Sequence, residues 1–371
     1  MNIGIDARLY GTKHGGIGRY IQHLIKELEL LDNSNKYYIF LNSDNFDEYI
    51  PKNSNFSKVL ADCKVYGWSE QFKLPGILRK YNLNLIHFPH FNVPLVYRGK
   101  YIVTIHDLII SHFPTSRATT LNPFLYKIKL FFYNFIIKLA AVRAQSIIAV
   151  SKYTKDDIAS YFRINADKII VIYEGVDLPV ASQAECQAVL DELGIKGDYL
   201  LYVGSAYPHK NLERLLLAFQ KIHQTNLLLQ LVLVGKINFF YDRIKKLINE
   251  LGLQKNVILT DYVPDDKLAC IYQTADLYVF PSLLEGFGLP PLEAQTYGVP
   301  VISSNTSCLP EILGESAVYF DPTNVDDIVE KINRTYDDFA IREELKNKAA
   351  VNLQRYSWKK MAQEILDMYI S

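Results

Sequence analysis

Two Rossmann-like α/β domains are predicted, on three observations. Short apolar runs alternate with helical stretches over the whole length, the pattern of doubly wound parallel sheets. The pattern starts afresh near residue 199, and 371 residues exceed what one hydrophobic core usually organises. Several runs end in glycine-rich loops that open helices, and ligands of such sheets sit at the carboxyl ends of the strands.

The first half reads as strands near 2–6, 37–42, 58–65, 84–88, 101–105, 146–150 and 168–172. Helical spacing near 17–31, 69–80, 121–143 and 152–162 separates several of them. The second half begins with Y-L-L-Y-V-G (199–204) and continues through 227–235, 256–260, 277–281 and 299–303. The stretch from Tyr173 to Asp198, with Gly175, Pro179 and a short helical piece, reads as the linker. Trp358, Met361 and Ile365 fall on one helical stripe near the end. The expected domains are therefore 1–175 and 176–354, with 355–371 packing back on the first across a hinged cleft.

Composition narrows the function classes. Forty basic and forty acidic side chains cancel, so no overall field favours nucleic acid. Cys63, Cys186, Cys270 and Cys308 lack metal-ligand or redox spacing and read as reduced thiols of a cytoplasmic protein. Met1 to Arg8 already reads as a strand, so no secretory leader is expected. No apolar run of about 18 residues suggests a spanning helix.

The richest segment is P-S-L-L-E-G-F-G-L-P-P-L-E-A, residues 281–294. Glu285 and Glu293 flank a Gly286-Phe287-Gly288 turn, with Ser282 before it and Leu289 after it. Glycine removes the Cβ that keeps a ligand off the backbone, and Pro290 or Pro291 suits a first helical turn. Free N–H groups and the helix dipole then face an anion. Glu293 is expected in that first turn, pointing back at the site. Two carboxylates also suit a glycoside hydrolase, which holds both close to one bond. One acid on a loop and the other on a helix that favours anions suits a nucleotide better.

Val203-Gly204-Ser205-Ala206-Tyr207-Pro208-His209-Lys210-Asn211 ends a parallel strand. Lys210 there is either a solvated surface charge or the cation for an anion shared with the 286 loop. His14-Gly15-Gly16-Ile17-Gly18 opens an early helix, as a phosphate loop or as plain turn chemistry. His106-Asp107 follows the strand at 101–105, so His106 is a functional imidazole or a satisfied structural histidine. H-F-P-H-F-N (87–92) could form an acceptor pocket. Acidic pairs at 156, 265, 326 and 337 read as helix-start caps, so no metal and no cofactor are expected.

Taken together these motifs resemble glycosyltransferase family 4, the retaining two-domain enzymes of the GT-B fold. The resemblance rests on Glu285-x7-Glu293 within E-G-F-G-L-P-P-L-E-A, the early glycine loop, the V-G-S-x-x-P-x-K-N stretch and His106-Asp107. It implies an acceptor-side first domain and a second domain that binds a nucleotide sugar. It assigns Glu285 to the sugar hydroxyls, Gly286 to Leu289 to sugar and phosphate, and Glu293 to the ribose. Lys210 would meet the diphosphate, with Gly15 and Gly16 approaching from the first domain. The backbone at Tyr262 and Val263 would receive the base, and His106 would stand at the sugar.

Many members carry arginine where this chain has Ser205, so Lys210 acts with less help or Arg19 or Arg214 adds the second charge. The start I-G-I-D-A-R-L, W-S-E-Q-F-K-L-P and Y-P-H-K-N are similar to bacterial O-antigen and capsule mannosyltransferases. They imply GDP-mannose as donor and a growing surface glycan as acceptor. The alternatives are a UDP-sugar donor or a non-catalytic nucleotide-sugar sensor. Residues 121–143 mix aromatics with Lys127, Lys129, Lys138 and Arg143. They read as a crossover helix or as a peripheral contact with a membrane carrying a lipid-linked acceptor.

Overall fold

Every apolar run expected as a strand in the first half becomes one in the computed structural model. The structure describes residues 1–113, 122–176 and 183–370. The strands are β1 (Asn2–Asp6), β2 (Lys36–Leu41), β3 (Phe56–Leu60), β4 (Leu85–Phe88), β5 (Tyr101–Ile105), β6 (Ser146–Ala149) and β7 (Ile169–Val171). They form one sheet in the order β3-β2-β1-β4-β5-β6-β7, with each pair parallel. Burial explains why the runs are continuous rather than alternating, since helices cover both faces of such a sheet.

The second sheet holds β8 (Tyr199–Val203), β9 (Gln230–Val234), β10 (Val257–Leu259), β11 (Leu277–Phe280), β12 (Val301–Ser304) and β13 (Ala317–Phe320). Its order is β10-β9-β8-β11-β12-β13, also parallel throughout. β13 was not anticipated. Its pattern is mixed, with Val318 and Tyr319 half-buried at the sheet edge, so it lacks the apolar run that marks its neighbours.

The chain divides into two units, one ending at Gly175 but regaining the segment from Ser357, the other running from Val176 to Tyr356. In the first unit, helix Trp358–Ile370 buries Trp358, Met361, Ile365 and Tyr369. Tyr369 Oη lies 2.6 Å from His87 Nδ1, and the Trp358 ring stacks on His23 at 4.3 Å. Part of the expected linker, 177–182 with Pro179, lies outside the described residues, as does residue 121. Helix Gln183–Leu193 is the helical piece that follows.

Local chemistry sets most helix starts. Ser151, Asn238, Asn324 and Asp338 each accept a backbone N–H from the first turn they precede. Three of the four acidic pairs stand at helix starts, at Asp265, at Asp326 and at Asp337, whose neighbour Asp338 caps Phe339–Asn352. Asp156 does not, lying in the second turn of Lys152–Phe162 behind the Ser151 cap.

Candidate functional site

Both sheets reverse strand order beside their first strand, β1 next to β4 and β8 next to β11. Loops leaving two neighbouring strands on opposite crossovers diverge there and leave a crevice at the carboxyl ends. In the second unit these loops are 204–211 and 281–288.

The two loops are fastened together. Leu283 N donates to His209 O at 2.7 Å. Asn211, at the left-handed φ of 61°, buries its amide and donates to Pro281 O at 3.0 Å and Pro322 O at 2.8 Å. From the next strand end, Ser304 Oγ and Thr306 Oγ1 donate to Ser282 O at 2.5 and 3.2 Å, and Ser307 Oγ receives Glu285 N at 3.1 Å. None of Asn211, Ser304, Thr306 or Ser307 was anticipated as a site residue. Their only sequence signal is that small polar residues follow apolar runs.

Within this frame Lys210 Nζ meets Glu285 Oε1 at 2.6 Å, with the side chains 16% and 9% exposed. The ammonium also stands 5.6 Å from the centre of the Phe280 ring. Burial, helped by Lys210, holds neighbouring His209 down at about 4, so it is neutral at physiological pH.

Gly288 adopts φ +92° directly before helix Leu289–Thr296, whose first turn holds Pro290. A Cβ on Gly288 would lie 2.9 Å from Leu309 Cδ2. Its glycine is thus required by backbone shape and by packing on an apolar side chain. Gly286 is buried in the same turn, and the Phe287 ring packs edge-on against Tyr356 at 5.6 Å.

The structure corrects one expectation and places the other residues of these loops. Glu293 sits in the second turn of its helix rather than the first, buried, with Tyr272 Oη donating to its Oε2 at 3.0 Å. Ser282 is wholly buried, its Oγ has no protein partner, and its carbonyl accepts from Ser304 and Thr306. Tyr262 is exposed, but its N–H already donates to Asp261 Oδ1 at 2.8 Å, which leaves Val263 as the buried neighbour on that loop. Ser205 gives its carbonyl to Tyr202 Oη at 2.7 Å. Arg214 Nη1 donates to Asn211 Oδ1 at 2.9 Å, so one of the two candidate second cations lies beside the Lys210 loop.

The remaining expected residues lie in the first unit. Helix Gly15–Leu31 begins two residues earlier than its apolar pattern suggested, since Gly15 and Gly16 carry no side chain to mark it; Gly15 takes φ +62° behind an uncapped His14. Gly15 and Gly16 are exposed in that first turn, whereas a Cβ on Gly18 would overlap Gly11 O. His106, at the end of β5, places Nδ1 3.1 Å from Glu174 Oε1 and Nε2 3.0 Å from Pro89 O. Both partners are acceptors, so the ring satisfies them only when doubly protonated. Burial opposes that charge, but Glu174 and the Pro89 carbonyl outweigh it and raise the pKa. Glu174 was missed because it reads as an ordinary loop acid. Among the described residues no group of three or more His, Cys, Asp or Glu converges as a metal site.

Comparison with known proteins agrees with this geometry. Residues 14–179 match the family model for Glycosyltransferase Family 4, and 191–351 the model for Glycosyl transferases group 1. The chain is 29% identical to O-antigen chain mannosyltransferase B of Escherichia coli, over 95% of both chains. It is 28% identical to O-antigen chain mannosyltransferase RfbU of Salmonella typhimurium, over 72% of this chain and 70% of the other. It is also 32% identical to the serotype-specific mannosyltransferase WbdA of Escherichia coli over 59% of its own length, but that match spans only 28% of WbdA. Its fold is similar to sucrose-phosphate synthase from Thermosynechococcus elongatus, with a TM-score of 0.81 at 19% identity, covering 100% and 98% of the chains. Anabaena Alr3699/HepE, solved with UDP and glucose, gives 0.76 at 19%, covering 100% and 99%. The chain belongs to glycosyltransferase family 4 and is a glycosyltransferase of the GT-B fold.

Proposed function

We propose that the protein transfers mannose from GDP-mannose, with retention of configuration, to a sugar hydroxyl of a growing surface glycan. The observation that carries this reading is the Lys210–Glu285 pair at the β8/β11 switch point, where a cation and a carboxylate share one crevice. The choice of mannose and of a surface glycan is supported by relatives named as O-antigen mannosyltransferases. Lys210 faces the diphosphate, Arg214 adds the second positive charge, and the N-terminus of helix Leu289–Thr296 supplies backbone N–H groups. Glu285 orients the sugar hydroxyls, and Glu293 receives the ribose.

In the step itself, the bond from the sugar's anomeric carbon to the diphosphate oxygen breaks. A bond from that carbon to the acceptor hydroxyl oxygen forms on the same face, and the hydroxyl proton passes to the leaving diphosphate. No side-chain base is required by this balance. No metal is required either, so excess EDTA leaves the turnover rate unchanged.

The acceptor is carried on a lipid diphosphate, and helix Pro123–Arg143 provides a peripheral membrane contact. That helix exposes Leu125, Ile128, Phe131, Phe132 and Phe135 beside Lys127, Lys129 and Lys138. Arg143 does not join them, because it donates to Leu95 O at 2.6 Å and to Tyr97 O. No helix among the described residues is long and apolar enough to cross a membrane.

Slow release of free nucleotide from a panel of GDP- and UDP-hexoses tests the donor, and the product's anomeric proton coupling tests retention. Turnover of UDP-glucose in preference to GDP-mannose would overturn the donor assignment, and an inverted anomer the mechanism.

A further inference from the structure

Three buried tyrosine hydroxyls meet three successive carbonyls where β8 gives way to the Lys210 loop. Tyr278 Oη donates to Val203 O at 3.2 Å, Tyr241 Oη to Gly204 O at 2.7 Å and Tyr202 Oη to Ser205 O at 2.7 Å. The rings come from β11, from helix Phe239–Glu250 and from β8 itself, and none is more than 1% exposed. Burial pushes the pKa of all three phenols up, so each stays protonated and donates. Two glycines make room for this arrangement. A Cβ on Gly204 would lie 2.7 Å from Tyr202 Oη, and one on Gly235 would overlap Gly204 O and Tyr241 Oη.

The tyrosines also fix where the adjoining N–H groups point. No peptide bond among the described residues is cis, and across a planar trans peptide the C=O and the N–H are opposed. Gly204 O turns to Tyr241 and Ser205 O to Tyr202, both inside the core, so the N–H groups of Ser205 and Ala206 turn away from it. Among the described residues neither N–H finds an acceptor, although Ala206 is only 7% exposed. Backbone donors at so buried a place call for a partner from outside the chain. Lys210 stands on the same loop, and Arg214 is tied to its end through Asn211. Successive N–H groups on a loop that also carries a cation suit an oxyanion.

We propose that the backbone of this loop does what a second side-chain cation at Ser205 would do. The N–H groups of Ser205 and Ala206 bind the diphosphate of the donor, and Tyr202 and Tyr241 are the positioning residues that aim them. The assignment rests on the donor reading and extends it to two hydroxyls that touch no substrate.

Calorimetric titration of the full chain with GDP and UDP tests it. Tyr241→Phe and Tyr202→Phe each delete a hydroxyl and keep the ring, and each should weaken the nucleotide that binds about tenfold. Ala206→Pro removes one N–H outright and should weaken it as much, whereas Ala206→Ser keeps the N–H and should bind as the wild type does. A melt of each variant separates the roles, because a hydroxyl that only holds the fold lowers the melting temperature and leaves the affinity alone. The phenylalanine variants answer the question even if Ala206→Pro fails to fold. Affinity lost in Ala206→Pro but kept in both phenylalanine variants overturns the positioning role. Affinity that all three retain overturns the inference alone and leaves these N–H groups to water. A wild type that binds neither GDP nor UDP overturns the donor reading beneath it.

Discussion

Lys210 Nζ lies 2.6 Å from Glu285 Oε1, so two groups expected to serve different parts of the donor neutralise each other without it. On the roles proposed for them, donor binding redistributes this contact. In Glu285→Gln the ammonium no longer shares its charge with a carboxylate. GDP, which carries no sugar, should bind about three- to tenfold tighter, while sugar transfer falls about a hundredfold. Calorimetry with GDP and a transfer assay on the same preparation measure both. Weaker GDP binding in the variant would show that Glu285 supports the phosphate site rather than competing with it.

This pair also marks how far the sequence was legible. Strands in buried parallel sheets announce themselves as apolar runs, which is why twelve of the thirteen among the described residues were located and the amphipathic edge strand β13 was not. Loop residues at carboxyl ends of strands were legible as a set, because glycine, lysine and glutamate are unusual together there. Their partners were not. Lys210 to Glu285, Arg8 to Glu70 and His106 to Glu174 are separated by 75, 62 and 68 positions, and nothing local in the sequence encodes such pairings. Gly288 was found for an incomplete reason, since Leu309 rather than open space faces its missing Cβ.

His106 and Glu174 should give the first unit a pH-dependent stability. Glu174 raises the native pKa of His106 above its ordinary value of 6.5. The stabilisation is thus complete below about pH 6.5 and is lost as pH rises through the native value. Around the ring, Tyr20 packs edge-on at 4.9 Å, Asp107 adds to the upward pull, and His87 and His90 are held by burial at about 3. The latter two stay neutral across this window, so they cancel in a comparison of variants. Thermal melts of wild type and Glu174→Gln from about pH 5.5 to 8.5 should differ most at the acid end. A gap that widens with pH would mean that His106 is neutral in the native state.

Two glycines of the first unit should respond to alanine with opposite signs. Gly175 lies beneath Trp358, where a Cβ would overlap the Trp358 backbone N and fall 2.6 Å from its Cγ. Backbone cannot yield as a flexible side chain does, so Gly175→Ala should cost about 1–3 kcal/mol. Gly76 stands exposed inside helix Trp68–Leu78, with nothing within 4 Å of its missing Cβ. Gly76→Ala should add about 0.5–1 kcal/mol through helix propensity. Denaturant melts with equal slopes compare the two, and a neutral Gly175→Ala would show that the C-terminal helix is held less closely than it stands here.

Helix Pro123–Arg143 meets the core through Ile137, Ala140 and Ala141, yet Leu125, Ile128, Phe131, Phe132 and Phe135 remain exposed. A crossover helix needs only the first set. Burial of one phenylalanine in an interface contributes about 1.5–3 kcal/mol, and each lysine near an anionic surface about 1 kcal/mol. Sedimentation with anionic phospholipid vesicles should therefore show binding that Phe131→Ser with Phe135→Ser lowers about a hundredfold or more. Lys127→Glu with Lys129→Glu should weaken binding to anionic vesicles and leave the slight binding to neutral ones unchanged, because only the former depends on charge. Equal sedimentation of wild type and both double variants would exclude this helix as the contact, and its aromatic face would then await a protein partner.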